Sequence, residues 1–312
     1  MKKSLIALAA LAATASFAQS SVTLYGLANI GIQSTNGSKA AVTGGADGSD
    51  SRWGFRGTED LGGGLSANFT FEAGFKPDTG NADVQSSVQT FQRQSWVSLA
   101  SKSLGEVRLG RQYTVGFNGS IGTMPSTYTD PALATGLGFN GMGSRSNDQI
   151  QYRSVAFSGF SVQASTQLAG DTSGLATPLA KQNELGLAYA NGPLTANLTT
   201  ANVTAANGTK TSPMGANATY NFGSFSAMLG YIDTDSAKGK GYVAKAYMPV
   251  GANNLFIGYA KNDTTKADAY ELGNFYSLSK RTRLYALYAN GNGTGATATN
   301  GKRYSFGVTH AF

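Results

Sequence analysis

The sequence predicts an all-β chain folded as a transmembrane, antiparallel, up-and-down barrel of sixteen strands. Three observations point there. Segments of about ten residues alternate apolar with polar side chains, the period of a strand with two unlike faces. The connections between them alternate short and long. Aromatic residues make up 11% of the chain and charged residues only 13%, about half the charged share of a soluble domain.

The elements follow in chain order. Lys2 and Lys3, the apolar run from Leu5 to Ala15, and the small residues Ser16 and Ala18 read as an export signal spanning residues 1–18. That run, about eleven residues, is too short to cross about 30 Å of hydrocarbon as a helix. Residues 19–312 are expected to form a single domain, because no linker or low-complexity stretch interrupts the pattern. In the first segment Val22, Leu24, Gly26, Ala28, Ile30 and Ile32 share one face. Ser21, Thr23, Tyr25, Asn29 and Gln33 share the other, with Leu27 the misfit. Leu65, Ala67, Phe69, Phe71, Ala73 and Phe75 alternate in the same way with Ser66, Asn68, Thr70, Glu72 and Gly74. Such segments have the length that a tilted membrane-spanning strand needs, about 9–11 residues. Later segments alternate less cleanly.

Short turns fall around 59–63, 102–105, 157–159, 191–193, 223–224, 250–252 and 280–281. Longer polar loops fall around 34–49, 77–87, 113–147, 170–181, 205–211, 235–239, 262–266 and 292–300. Seven short and eight long connections in strict alternation join sixteen strands and leave both termini on the short-turn side. Bacterial outer-membrane barrels are arranged in this way. Hydrocarbon offers no partner to a backbone N–H or C=O, so the sheet must close on itself. At sixteen strands the interior is too wide for side chains to fill, and a water channel remains.

Composition excludes several classes. Removing the export signal takes two lysines and no acids, lowering the net charge from +7 to +5. The remaining cations are scattered singly, so no nucleic-acid footprint is present. Cysteine is absent, which removes disulfides, thiolate metal sites and cysteine nucleophiles. His310 is the one histidine, and its parity turns it outward near the short-turn rim, a poor place for a general base. The run Leu61-Gly62-Gly63-Gly64 lacks the lysine of a phosphate loop. No enzyme, metal or cofactor is expected.

Parity assigns the faces. Trp53 and Phe55 must face outward, which turns Arg52 and Arg56 into the bore. Val107 and Leu109 face out, so Glu106 and Arg108 face in. Arg111 then takes outward parity near the external end of its strand. Ile150 and Tyr152 face out, so Gln149, Gln151 and Arg153 face in. Glu72 faces in. An arginine toward lipid at the membrane midplane costs about 2–4 kcal/mol, which places Arg93 inside and, by parity, Gln92, Gln94 and Trp96 outside. Any one arginine could serve a structural ion pair. Together, Arg52, Arg56, Arg93, Arg108 and Arg153 outnumber Glu72 and Glu106, and fixed positive charge on the wall of a narrow pore favours anions.

Residues 19–312 resemble the trimeric general porins of Gram-negative outer membranes, closest to the beta-proteobacterial type. The resemblance rests on Ser21–Gly26 (S-V-T-L-Y-G), Ser51–Gly64 (S-R-W-G-F-R-G-T-E-D-L-G-G-G), Phe91–Leu99 around Arg93, and Gly105–Gln112 (G-E-V-R-L-G-R-Q). It rests also on the last strand, where Tyr304, Phe306, Val308 and His310 lead to Phe312. The resemblance implies a homotrimer in outer-membrane lipid, passing small hydrophilic solutes, chiefly anions, by diffusion. Arg56, Arg93 and Arg153 match arginines that cluster at the family's constriction. The segment 113–147 matches the third external loop, which in this family folds into the barrel. Asp130 matches an acidic position on that loop, where it would face the arginines; alternatively it caps a turn before Pro131. Phe312 matches the terminal aromatic read by the outer-membrane assembly machinery. A channel specific for a small organic anion or a sugar is the alternative reading.

Overall fold

The computed structural model describes residues 21–82, 90–121, 144–168, 181–205, 207–236, 239–264, 266–292 and 301–312. The export segment and Asp130 lie outside the described residues. In chain order the ladder segments are β1 (Ser21–Thr35), β2 (Ala41–Gly44), β3 (Arg52–Gly62), β4 (Leu65–Gly74), β5 (Gln94–Ser101), β6 (Gly105–Tyr113), β7 (Arg145–Arg153), β8 (Phe160–Gln167) and β9 (Lys181–Asn191). They continue with β10 (Leu194–Thr204), β11 (Lys210–Thr211), β12 (Met214–Asn221), β13 (Ser226–Asp233), β14 (Lys240–Val250), β15 (Asn253–Asn262), β16 (Asp268–Ser277), β17 (Thr282–Asn292) and β18 (Gly301–Ala311). The short segments β2 and β11 sit beside β1 and β10; the other sixteen form one antiparallel barrel, each pairing with the next in sequence. Closure comes from β1, whose later residues pair with β18 from Leu27↔Ala311 to Thr35↔Arg303. Its earlier residues pair with β3 from Ser21↔Thr58 to Leu27↔Arg52. The sixteen-strand expectation therefore holds. The first loop, expected as unpaired at 34–49, instead contributes the end of β1 and all of β2, which pairs Ile30↔Gly44 through Gln33↔Ala41.

The outer surface is apolar because parity puts one side chain in two toward lipid. Val97, Leu99, Leu109, Leu185, Leu229, Ile257 and Phe306 are all more than half exposed, which an apolar surrounding makes favourable. Rings flank this band at both ends. Toward the long-loop side stand Tyr242 and Tyr259, and the neighbours Tyr270, Tyr288 and Tyr304. Toward the short-turn side stand Phe160 with Tyr189, and Tyr220 with Phe222 and Phe225. On β18, Tyr304 and Phe312 are eight residues apart, about 26 Å along the strand, of the order of the apolar band of an outer-membrane barrel.

The bore is lined unequally. On β13–β17 the inward side chains, joined by Ala267 just before β16 and Ala46 of the first loop, make two packed apolar groups. Met228, Ile232, Val243, Ala260, Ala267 and Ala269 form one, and Ala46, Tyr247, Phe256, Phe275, Tyr285 and Leu287 the other. Between them Lys245 Nζ lies 4.0 Å from Glu271 Oε1, both side chains 1% exposed. The pair spans two strands because the register runs Lys245↔Gly258↔Glu271. A Cβ at Gly258 would stand 3.2–3.4 Å from both side chains, so the absence of a side chain there leaves room for the contact. On β3–β9 the inward side chains are mostly charged, amide or hydroxyl groups instead, among them Arg56, Thr70, Glu72, Ser98, Glu106, Arg108, Gln149, Gln151, Ser165 and Glu184.

Candidate functional site: the charged wall of the bore

Strands β3 to β7 are neighbours, and their registers stack the predicted residues in tiers. Gly54 pairs with Glu72 and Glu72 with Gln94, while Arg56 pairs with Thr70 and Thr70 with Trp96. Ser98 pairs with Arg108, and Glu106 with Arg153. The tier nearest the long loops is built on Glu72, which is 3% exposed. Its carboxylate accepts from Arg93 Nε at 2.8 Å and from the Tyr25 hydroxyl at 3.0 Å, with Arg52 Nε at 3.8 Å. Arg93 also reaches Asp50 Oδ2 and the Tyr113 hydroxyl, each at 3.0 Å. Arg145 donates to that same hydroxyl at 3.0 Å and lies over the Tyr113 ring.

In the middle tier the Arg56 guanidinium lies over the Tyr25 ring, 5.1 Å from its centre. Nearest the short turns, Arg108 lies 4.1 Å from the centre of the Trp96 ring and pairs with Glu106 at 2.8 Å. Glu106 accepts in addition from Ser98 Oγ at 2.7 Å, and Arg153 Nε donates to Gln151 Oε1 at 2.7 Å. Among the described residues neither Arg56 nor Arg153 forms an ion pair with a carboxylate, and Glu106 stands opposite Arg153 in the β6–β7 register. A recess of about 480 Å³ opens between these tiers, lined by Thr23, Arg56, Asn68, Trp96, Glu106 and Arg108 among others.

The third long connection turns into this bore. Its first turn runs from Thr114 into a short helical segment, Phe117–Ile121. Glu184, inward on β9 and 5% exposed, accepts from the backbone N–H of Val115 at 2.9 Å and of Gly116 at 3.1 Å. Ser165 Oγ donates to the same carboxylate at 2.7 Å. Thr114 Oγ1 caps Phe117 N at 3.0 Å, and Asn217 Nδ2 on β12 donates to the Gly119 carbonyl at 2.6 Å. Glycine at 119 and 186 lets the turn approach the wall, since a Cβ would stand 2.4 Å from Thr199 or 2.6 Å from Val115.

Seven predicted side chains, Arg52, Arg56, Glu72, Arg93, Glu106, Arg108 and Arg153, thus come together on the inward side of β3–β7. Phe312 is elsewhere: its ring covers Gly26 on the outer face, and the two backbones exchange hydrogen bonds of 3.0 and 3.1 Å. Parity failed at one place. Gln94 and Trp96, expected to face out with Gln92, face in, while Val97 and Leu99 face out. The reason is local: Arg93 lies in the bend before β5 begins at Gln94, so its inward direction does not propagate along the strand. Gln92 is buried and donates to the Gly74 carbonyl at 3.3 Å. Sequence reasoning also passed over Asp47, Asp50, Arg145, Glu184 and Arg283. Glu184 could have been found by parity, since it alternates with the outward Leu185; the loop carboxylates carry no such signal. Among the described residues no three His, Cys, Asp or Glu side chains are grouped to hold a metal ion.

A closed sixteen-stranded barrel, apolar outside and with a charged sector of wall within, into which the start of the third long connection turns, is a membrane-spanning channel. Its sequence matches the family model for Gram-negative porins over residues 4–296, and the chain belongs to that family. It is 38% identical to outer membrane porin protein 32 of Delftia acidovorans, covering 93% of this chain and 89% of that protein. It is 30% identical to an outer membrane porin protein of Bordetella pertussis, covering 92% and 93% respectively. The anion-selective porin from Comamonas acidovorans superposes with a TM-score of 0.69 at 27% identity, over 94% of this chain and 100% of that one. The trimer form of OmpT from Vibrio cholerae shares the fold, with a TM-score of 0.69 at 16% identity, over 94% and 99%. The protein is an outer-membrane porin, a passage for small hydrophilic solutes across the Gram-negative outer membrane.

Proposed function

We propose that this porin is an anion-preferring, non-catalytic diffusion channel, and that it works as a homotrimer. One observation carries the anion preference. On the wall formed by β3–β7 and the segments beside them, six guanidinium groups (Arg52, Arg56, Arg93, Arg108, Arg145, Arg153) stand against three carboxylates (Asp50, Glu72, Glu106). A water-filled bore with low-dielectric walls focuses such an excess and concentrates counter-ions of opposite sign. Arg56, Arg145 and Arg153 form no ion pair with a described carboxylate, whereas Arg93 is 5% exposed and engaged by two. The selectivity role therefore rests more on Arg56 and Arg153 than on Arg93. The named character of the Comamonas relative, anion-selective, agrees with this reading. Asp130 would face these groups from the third loop, and Phe312, ending the last strand on an outward ring, would be the signal for the assembly machinery.

The trimer reading is supported by the outer surface. From β1 to β6 no described tyrosine faces outward; the wall there is smooth and apolar, with an aromatic group of Trp53, Phe55, Phe69, Phe71 and Phe91. Interfacial tyrosines are absent where a neighbouring subunit replaces lipid. The recess beside Trp96 favours a second reading, a channel specific for a small organic anion or sugar; solutes that block conductance at low concentration would distinguish it. The main test is the reversal potential of the purified protein in a planar bilayer under a KCl gradient. Anion preference is expected, reduced in the double variant Arg56→Gln, Arg153→Gln. A cation-preferring wild type would overturn the reading.

A further inference from the structure

We infer that the first external loop, between β1 and β3, is a second inward-folded part of the pore, and that its Asp50 sets how much arginine charge a passing ion meets. The inference rests on the channel reading above and deepens it.

The loop is fixed on the inner wall at Asp47, which is fully buried. Its carboxylate accepts from Ser49 N at 2.8 Å, Arg283 on β17 at 3.1 Å and Thr309 on β18 at 3.3 Å, and from Asn29 Nδ2 on β1. Ala46 beside it is 1% exposed and packs with Tyr285 and its apolar neighbours. Asn29 completes the anchor: it accepts from the Tyr285 hydroxyl at 2.9 Å and donates its backbone N–H to Ser51 Oγ at 2.9 Å. Farther along, Phe75 N donates to the Ser51 carbonyl at 3.1 Å. The chain is thus held on β1, β17 and β18 at Asp47 and on β1 and β4 at Ser51, with three residues between.

That spacing leaves Asp50 little latitude. Its carboxylate is 57% exposed and meets Arg93 NH1 at 3.0 Å, while its carbonyl accepts from Arg52 NH1 at 3.1 Å. Glu72 holds the same two arginines at 2.8 and 3.8 Å, with a side chain 4% exposed. Arg52 and Arg93 are thus balanced by Asp50 and Glu72, and Arg145, on the same Tyr113 hydroxyl as Arg93, adds a further positive charge. Glu72 is buried beneath the pair and shares its charge with the protein. Asp50 is the exposed member of the set, so an ion that comes within a Debye length of it, about 8 Å at physiological salt, feels its charge. Neutralising Asp50 leaves one more uncompensated positive charge there without removing an arginine, so Asp50 acts as a brake on anion preference. It is a specificity-determining residue acting on ions and on Arg93 together.

The test compares purified wild type, Asp50→Asn and Asp50→Glu in planar bilayers under a KCl gradient. Asparagine keeps the shape and an acceptor for Arg93 but removes the charge. The anion-to-cation permeability ratio of Asp50→Asn should rise by about twofold or more, with Asp50→Glu returning the wild-type ratio. An unchanged ratio in Asp50→Asn channels that insert and conduct, or a shift toward cations, would overturn the inference. A cation-preferring wild type would instead sink the anion reading of the preceding section. The Asp50 inference would still be decided by the difference between variant and wild type.

Discussion

Glu184 is the side chain on which the third external loop turns into the bore. Its carboxylate satisfies two backbone N–H groups that begin a helical turn, at 2.9 and 3.1 Å, as a capping residue would. Removing it leaves those donors to water, a loss of about 1–3 kcal/mol in a buried setting. The loop should then sample positions off the wall. Glu184→Ala is expected to give noisier single-channel currents and a changed mean conductance, with Glu184→Gln in between because an amide keeps one acceptor. Wild-type traces from both variants would mean that the loop is held elsewhere. At this scale the sequence was legible where alternation was strict. Arg52, Arg56, Glu72, Glu106, Arg108 and Arg153 all lie on the expected side of their strands. Trp96 was misassigned because its side was inferred from Arg93, whose bend belongs to tertiary structure. The loop partners of Glu184 and the Arg283 partner of Asp47 were not legible either, since Gly116 lies 68 residues from Glu184 and Arg283 lies 236 from Asp47.

Strands show why the second half of the chain alternates poorly. On β14–β17 the inward side chains include Val243, Tyr247, Phe256, Phe275, Tyr285 and Leu287, so both faces are apolar and the period of two fades. The rings lie flat against the wall where glycine takes the neighbouring inward position: a Cβ at Gly273 would stand 2.6 Å from Phe256 and 2.7 Å from Leu287. Such a packed layer narrows the open bore toward the charged wall opposite, and the charges of β3–β7 gain influence on what passes. The charged wall depends on a local irregularity. The β6–β7 register shifts between Gly110 and Gln112, and Gly110 has φ +124 with a would-be Cβ 2.3 Å from the Ser95 carbonyl oxygen. A side chain there is doubly disfavoured, by conformation and by contact with backbone. Gly110→Ala should destabilise the barrel by about 1–3 kcal/mol or more, read as a lower urea midpoint for refolding in detergent. An unchanged midpoint would mean that β5 and β6 can part at this point without loss. Turn placement, by contrast, was readable in advance, because short connections between membrane strands leave few residues that can bend.

As a whole the molecule is a cylinder with two unlike outer halves. Closure was legible from chemistry alone, since unpaired strand edges cannot stand in hydrocarbon; the unequal halves were not, because parity says which side chains face out but not what they meet. Tyrosines ring the half from β13 to β18 toward the long loops, while the half from β1 to β6 presents Val22, Leu24, Ile32, Val97, Leu99 and Leu109, together with the aromatic group around Phe71. Both surfaces suit an apolar neighbour, so a polar substitution separates lipid from protein contact. Phe71→Asn, at the centre of the aromatic group, should leave the monomer barrel folded, because a lipid-facing asparagine weakens insertion without breaking the ladder. It should, however, lower the temperature at which trimers dissociate in semi-native gels, because the ring sits 5.4 Å from Phe91 and 5.5 Å from Phe69 in the proposed contact. Leu272→Asn, outward on β16 among the tyrosines, makes the same exchange on the lipid half and should leave that temperature unchanged. If Leu272→Asn loosens the trimer and Phe71→Asn does not, the subunits meet through β13–β18, and the smooth half faces lipid.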